Sequence, residues 1–330
     1  MLASRVGLMM AGRPLRDLVE TAKRADDAGL HSLWNGDGGD AFGPLTAYAL
    51  ATSRIRLGTG VAVWHRPPVI TANAALQLAS VAEGRFTLGL GAGPKQWNED
   101  WWGISFAKPV GRMREYVEVV RGVFGSGPGR PFSFDGAHFQ VRAYQRSSRH
   151  VPPPIVLGVV GAQMSRLAGA LADGALFDVL LSRRYLRDCA IPAVEAGLSR
   201  SGRERSAITL GAMVCCVADP DERTALQGVK WGLLGHLVAE YFYPVWGDDG
   251  FEAETRRAQA RLGAGDAAGA VAELSDDFAR AVAIVGTPDA CRHQLREWLD
   301  LVDFVALWAP QRPESPHAST LDFLVDLVAA

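Results

Sequence analysis

Short apolar runs alternate along this chain with longer stretches in which apolar residues recur every three or four positions. Eight of the short runs are predicted to be buried strands. They are Val6–Met10, Ser32–Trp34, Ile55–Gly60, Phe86–Leu90, Ile155–Gly158, Ala175–Leu180, Ile208–Val217 and Phe304–Trp308. The stretches between them have the periodicity of amphipathic helices. Eight strand–helix units with right-handed crossovers favour a closed (β/α)₈ TIM barrel, because an open doubly wound sheet usually has only about five or six strands.

Two segments depart from this alternation. Phe132–Val141 alternates apolar and polar residues around Asp135–Gly136, which predicts a β-hairpin that decorates the barrel. The stretch from about 222 to 280, after the seventh strand, is rich in alanine and charge and irregular in its helical pattern. We interpret it as an insertion that covers the barrel mouth. No linker divides residues 1–330, so a single domain is predicted.

Composition excludes several classes of function. The net charge of −2 provides no basic field for nucleic acid or for an anionic membrane surface. The four cysteines form no C-x-x-C pair, which argues against a metal site or a disulfide framework and favours a reducing cytoplasm. No signal peptide is visible at the N-terminus, and no apolar run approaches the length of a membrane span.

Glycine is concentrated where the predicted strands end. Active sites of (β/α)₈ barrels lie at these carboxyl ends, and glycine lets a flat ring or a phosphate approach the backbone. The run Gly89–Pro94 does not fit the dinucleotide motif G-x-G-x-x-G, because Pro94 occupies the third glycine position. Gly161-Ala162-Gln163 opens the fifth helix, which is either a plain helix start or a phosphate site. Ser182 and Arg183, at the next strand end, could reach the same anion.

Several longer motifs, taken in order, resemble the luciferase-like flavin and deazaflavin oxidoreductases. They are Ala25–Trp34 (ADDAGLHSLW), Arg54–Val61 (RIRLGTGV), Gly84–Gly93 (GRFTLGLGAG), Leu167–Gly174 (LAGALADG) and Val285–Pro288 (VGTP). The resemblance covers nearly the whole chain and is weakest in the insertion. Gly158-x-x-Gly161-x-x-Met164 and Gly91–Pro94 are most similar to members that use the deazaflavin coenzyme F420. FMN is the alternative cofactor.

The resemblance implies a ring-binding bulge after the third strand, with a cis peptide bond between Gly60 and Val61. It also implies a homodimer. Together with the glycine-rich strand ends, it predicts cofactor contacts at Asp37, Thr59, Gly60, Val61, Gly91, Ala92, Gly93, Asn98, Gly158, Val160, Gly161, Ala162, Gln163, Ser182 and Arg183.

One position departs from the family pattern and bears on the reaction. Similar alcohol and sugar dehydrogenases carry an Asp-His pair after the second strand, whose histidine accepts the hydroxyl proton. Here Asp37 is followed by Gly38. Without a base, alcohol oxidation is hard to arrange. The sequence therefore favours reduction of an activated C=C or C=N bond of a small-molecule or modified-peptide substrate.

Such a reduction needs one proton donor, and three residues are candidates. Glu99 stands among Trp97, Trp101 and Trp102, which are expected to shield it from water, unless it is an exposed loop carboxylate. Asp37 either belongs to the site or caps the turn after its strand. His65 follows the bulge and either faces the mouth or is structural. His236, in the insertion, is a further candidate as part of a substrate lid.

Three functions fit these observations. The first is an F420-dependent reductase, and the second is an FMN-dependent monooxygenase of the luciferase-like type. The third is a barrel that binds a ligand but has lost catalysis, which the missing histidine keeps open.

Overall fold

Eight parallel strands close on themselves as a barrel in the computed structural model, which describes residues 2–36, 39–147, 150–310 and 321–329. The strands in the described residues are β1 (Val6–Met9), β2 (Ser32–Asn35), β3 (Arg56–Thr59), β4 (Ala62–Val63), β5 (Phe86–Gly91), β6 (Phe132–Asp135), β7 (Gln140–Tyr144), β8 (Ile155–Val159), β9 (Gly174–Phe177), β10 (Thr209–Ala218), β11 (Ala283–Gly286) and β12 (Phe304–Trp308). The closed ring runs β1-β2-β3-β5-β8-β9-β10-β12 and returns to β1, with every pairing parallel. The predicted TIM barrel is confirmed.

Helices follow the barrel strands and cover the outside of the ring. In the described residues they are α1 (Leu15–Asp27), α2 (Phe42–Ala51), α3 (Pro68–Ala82), α4 (Pro109–Gly125), α5 (Ala162–Leu171), α6 (Arg183–Tyr185), α7 (Ile191–Arg200), α8 (Glu222–Leu233), α9 (Tyr243–Asp248), α10 (Glu252–Gly263), α11 (Ala267–Glu273), α12 (Asp276–Val282), α13 (Pro288–Leu299) and α14 (Leu321–Ala329). Helix α13 has a side-chain cap, because the Thr287 hydroxyl accepts a hydrogen bond from the Ala290 N–H at 3.3 Å. In the part of the chain that the structure describes, no helix is both long enough and apolar enough to span a bilayer.

The barrel interior is filled by aromatic side chains. Trp34 of β2 and Phe304 of β12 stack in parallel, with ring centroids 5.4 Å apart and planes 3° apart. Two glycines make room for them. A Cβ atom at Gly58 would lie 2.3 Å from the Trp34 ring, and one at Gly211 would lie 2.1 Å from the Phe304 ring. The barrel is therefore a packed core and not a pore, and any site must lie above this stack.

The first resemblance motif has a structural role at the other end of the barrel. The Asp26 carboxylate accepts hydrogen bonds from the backbone N–H groups of Ser53, Arg54 and Ile55 at 2.7–3.0 Å. Burial alone would raise the pKa of Asp26, but these bonds to the charged form hold the pKa below its ordinary value. Asp26 therefore anchors the entry to strand β3 and lies far from the mouth.

Strand β10 is longer than its neighbours and carries an extra strand. One edge of β10 pairs with β12, which reaches Cys215. The other edge pairs with β9 along residues 209–212 and with β11 along residues 215–218. Sequence analysis did not predict β11, and it extended the sixth strand to Leu180, whereas β9 ends at Phe177. Helices α8–α12 lie between β10 and β11. The predicted hairpin is present as the antiparallel pair β6–β7.

Candidate active site

The bulge after strand β3 forms part of the barrel mouth. Its Gly60–Val61 peptide bond is cis, as predicted. The half-buried Val61 side chain lies over two glycines of the neighbouring strands. A Cβ atom at Gly91 would lie 2.3 Å from Val61 Cγ2, and one at Gly158 would lie 2.9 Å from Val61 Cγ1. The absence of side chains at these two glycines therefore makes room for Val61. The surface available to a ring is the Gly60–Val61 bulge itself.

Thr59 holds the bulge from below. Its side chain is fully buried, and its hydroxyl donates to the Gly89 carbonyl oxygen at 2.7 Å and accepts from the Gly89 N–H at 2.8 Å. Gly89 is required here, because a Cβ atom would lie 1.9 Å from the Thr59 carbonyl oxygen. The Thr59 side chain therefore joins β3 to β5 and does not reach the mouth.

Asn98 organises the loop after strand β5. Its side chain is fully buried, and its Nδ2 donates to the carbonyl oxygens of Ala92 and Pro94 at 2.8 and 2.9 Å. Its Oδ1 accepts from the indole N–H of the buried Trp64. Gly93, with a φ of 66°, provides the tight turn that these bonds close. Because its amide group forms three hydrogen bonds within the protein, Asn98 positions the loop after β5.

Glu99 lies in an exposed loop next to a cluster of three tryptophans. The tryptophans pack on one another, with the Trp97 and Trp101 rings stacked at 4.9 Å and Trp102 edge-on to both. Glu99 is exposed, accepts from the Phe106 N–H at 3.3 Å, and lies 3.8 Å from the Lys95 ammonium. Of the two alternatives expected from the sequence, the structure agrees with the exposed loop carboxylate, because the tryptophan rings pack on each other and do not cover Glu99.

The other two predicted proton donors have different outcomes. His65 stacks on Trp102, with ring centroids 4.1 Å apart and planes 26° apart, and so connects the bulge to the tryptophan cluster. Asp37 lies outside the described residues, as does Gly38.

The start of helix α5 offers open backbone donors. Gly161 is the N-cap in an extended conformation, with φ −83° and ψ 159°, and Ala162 and Gln163 begin the helix. A Cβ atom at Gly161 would meet no protein atom within 4 Å. The N–H groups of this first turn have no partner inside the helix, and the helix dipole adds partial positive charge. Val160, just before it, is half-buried at the end of β8.

Ser182 and Arg183 are less available to an anion. The buried Ser182 hydroxyl accepts from the Tyr185 N–H at 2.9 Å and thereby caps α6. Arg183 forms an ion pair with Glu297 of α13. It also lines a cleft of about 290 Å³ together with Arg280 and Thr287.

Sequence analysis missed Asp178, at the end of strand β9. Its N–H donates to the Val159 carbonyl oxygen at 3.2 Å, and its carboxylate accepts from the Val179 N–H at 2.7 Å. The side chain is surrounded by protein yet keeps contact with solvent, which is the combination expected at the bottom of an open pocket. Burial raises the pKa of Asp178. A single aspartate inside a predicted strand gave no signal in the sequence.

Two residues of the insertion, His236 and Tyr241, are also enclosed by protein near the end of β9 and the end of β12. His236 is enclosed by protein, and its ring is edge-on to Trp308 of β12 at 5.2 Å. Burial lowers the pKa of His236 to about 4, so the imidazole is neutral near pH 7, and its Nδ1 has no hydrogen-bond partner among the described residues. Burial, and then the charge of Asp178, raises the pKa of Tyr241. The histidine predicted to line a lid thus lies against Trp308 at the end of β12, and Tyr241 is close enough to Asp178 to be affected by its charge.

Comparison with known proteins gives a consistent result. The model of the luciferase-like monooxygenase family matches residues 1–303. An uncharacterized protein of Mycobacterium tuberculosis is 32% identical over 83% of this chain and 86% of its own length. The 5,10-methylenetetrahydromethanopterin reductase of Methanolobus tindarius is 28% identical over 93% and 94%. The coenzyme F420 dependent tetrahydromethanopterin reductase structure from Methanopyrus kandleri shares the fold, with a TM-score of 0.80, 24% identity, and coverage of 98% and 97%.

Proposed function

Since this chain belongs to the luciferase-like monooxygenase family, we propose that it is an F420-dependent oxidoreductase that reduces an activated C=C or C=N bond. The observation that carries the proposal is the pairing of a bulge at Gly60–Val61 with an open helix start at Gly161. A relative named as a reductase that aligns over nearly its full length supports a reductive reaction. The substrate would be a small molecule or a modified peptide.

The residues at the mouth fit a tricyclic ring with a phosphate-bearing side chain. The bulge presents backbone and the half-buried Val61 side chain, which suits the face of a flat ring. Gly161 leaves open space in front of the first N–H groups of α5, where a Cβ atom would otherwise stand. An anion at such a helix start accepts several hydrogen bonds and is favoured by the helix dipole. We therefore propose that Gly60 and Val61 support the ring and that Gly161, Ala162 and Gln163 bind the phosphate.

In the proposed mechanism, the bound reduced deazaflavin supplies a hydride to the substrate. The protein's own contribution is to position the cofactor and to exclude water. Thr59 and Asn98 fix the bulge and the loop after β5 through buried hydrogen bonds. His236 and Tyr241 bring neutral polar groups from the insertion to the opposite side of the mouth.

The test of cofactor choice is spectroscopic. Purified protein titrated with F420 and, separately, with FMN should bind F420 more tightly, as measured by the change in cofactor fluorescence. Tighter binding of FMN, together with O₂ consumption when reduced FMN is supplied, would support the second candidate, a monooxygenase, which the family name favours. Binding of neither cofactor would contradict both.

Replacing Gly161 by valine is expected to weaken F420 binding by roughly tenfold or more, about 1.4 kcal/mol. The protein itself has room for the side chain, and its φ of −83° suits any residue, so the loss would come from the cofactor phosphate. Gly125→Val is the matched control, because Gly125 is equally open but ends α4 beside Pro152–Pro154, on the opposite face of the barrel. Equal affinities of both variants and the unchanged protein would place the phosphate elsewhere.

We also propose that the protein is a cytoplasmic homodimer. Leu50 of α2 and Ile70 of α3 are 76% and 56% exposed and lie on neighbouring helices, so a second copy could bury them. Light scattering should give about twice the 35.4 kDa chain mass. A mass equal to that of one chain would contradict the dimer.

A further inference from the structure

We infer that Asp178 is the residue that gives its proton to the substrate during the reduction. This inference rests on the proposed function, and it gives Asp178 precedence over Glu99, which is exposed. It is carried by three observations: where Asp178 stands in the barrel, what surrounds its carboxyl group, and how the insertion closes over it.

Asp178 stands on the interior face of the barrel. Gly174, Leu176 and Asp178 alternate along the same face, and a Cβ atom at Gly174 would lie 2.3 Å from the Val156 side chain. Val156 in turn faces Gly89, whose backbone is hydrogen-bonded to the Thr59 hydroxyl beneath the bulge. The hydrogen bond from the Asp178 N–H to the Val159 carbonyl oxygen continues the β8–β9 ladder by one residue. The side chain therefore lies at the rim of the same interior that holds the bulge.

The surroundings of Asp178 favour a protonated carboxyl group. Among the described residues it has no salt bridge, and the one hydrogen bond to its carboxyl group comes from the Val179 N–H. Removal from water therefore dominates and raises the pKa of Asp178, while the single N–H acts weakly in the opposite direction. Glu99 is the contrasting case, since it is exposed and has Lys95 beside it. A donor must hold its proton until the substrate arrives, and the enclosed Asp178 is better placed to do so than the exposed Glu99.

The insertion closes the pocket over Asp178. The segment 236–242 crosses above the end of β10, because His236 contacts Trp308 on one side and Tyr241 lies near Asp178 on the other. The raised pKa of Tyr241 and the lowered pKa of His236 keep both groups neutral near pH 7. A neutral unsaturated substrate fits these two neutral side chains better than an anion.

In the proposed reduction, the hydride supplied by the reduced deazaflavin forms a new C–H bond at one atom of the double bond, and the π electron pair moves to the other atom. That atom takes the proton as the Asp178 O–H bond breaks, which forms a C–H or N–H bond. The substrate has gained two electrons and two hydrogens, and the Asp178 carboxylate is reprotonated by water at the open mouth.

The first arm of the test uses the protein alone. Infrared titration should show a carboxylic C=O band that persists to higher pH than that of an exposed aspartate and is absent in Asp178→Asn. The matched control is Asp188→Asn, because Asp188 is exposed and paired with Arg187 ten residues later in the chain, so this variant should keep the band. A band that persists in Asp178→Asn would overturn the inference, and it would do so whether or not the protein uses F420.

The second arm measures turnover with reduced F420 and the best alkene or imine. Asp178→Asn should lower kcat about 10²-fold or more with little change in KM. In the unchanged protein kcat should fall as the pH rises through the raised pKa, and this fall should vanish in the variant. A kcat within twofold of the unchanged protein, or a large loss in Glu99→Gln but not in Asp178→Asn, would overturn the inference. Absence of any turnover with a correct infrared result would instead contradict the proposed function.

Discussion

Reduced F420 should reduce activated alkenes or imines in the presence of this protein, whereas oxidised F420 with simple alcohols or sugars should react about 10²–10⁴-fold more slowly. The reason is that Gly38 follows Asp37, where similar dehydrogenases carry the histidine that accepts the hydroxyl proton. The structure adds a second reason. Asp178, enclosed at the mouth with a raised pKa, is suited to giving a proton, and an alcohol dehydrogenase needs a group that takes one.

The measurement is the absorbance change of F420 in both directions, with equal protein and a panel of each substrate class. Reactions without protein correct for uncatalysed reduction of the more reactive imines. At subsaturating F420, Gly161→Val should lower the rate through weaker binding, which ties the activity to the proposed site. Efficient turnover of any simple alcohol would contradict the argument from Gly38.

Replacing Asn98 by leucine should lower the free energy of unfolding by about 3 kcal/mol or more. The change removes all the hydrogen bonds of a fully buried amide, so the Trp64 indole N–H and the Ala92 carbonyl oxygen lose their bonds to it, whereas the Pro94 carbonyl oxygen keeps its bond from the backbone N–H of residue 98. Each buried polar group without a partner costs roughly 1–3 kcal/mol. Chemical denaturation followed by far-UV circular dichroism gives the value.

Asn73→Leu is the matched control for this experiment. The Asn73 amide also donates two hydrogen bonds, to the Val69 carbonyl oxygen and the Tyr144 hydroxyl, both at 2.7 Å. It is only half-buried, so water can replace the lost contacts, and we expect a loss of about 1 kcal/mol. Similar losses in both variants would show that the Asn98 bonds do not hold the loop.

Sequence analysis could predict the barrel because its strands are short apolar runs separated by helical periodicity. It extended the sixth strand too far because Val179 and Leu180 are also buried, although they lie in a turn. It missed β11 because Ala283–Gly286 directly follows helix α12 and is only four residues long. A strand this short, which pairs with the end of β10, has no hydrophobic periodicity from which it could be predicted.

Within the site, the bulge could be predicted and the polar groups could not. The Gly58–Val61 motif located the cis bond correctly. The roles of Asn98, Glu99 and Asp178 depend on which partners the fold brings to them, and those partners are distant in sequence or belong to the backbone. Three tryptophans near Glu99 could shield its carboxylate from water only if their ring faces were free. In the structure the rings pack on each other.

The end of strand β10 that carries β11 divides the mouth into two walls, which come from different parts of the sequence. The bulge, the Asn98 loop and the start of α5 all come from residues 56–163, whereas Asp178, the insertion and Trp308 come from residues 178–308. Because β11 joins the insertion to the end of β10, helices α10 and α11, which pack mainly on other helices of the insertion, can change in length or composition without disturbing the eight-stranded ring. Substrate range can therefore diversify during evolution, or be exchanged by grafting this segment between relatives, while the opposite wall is inherited intact.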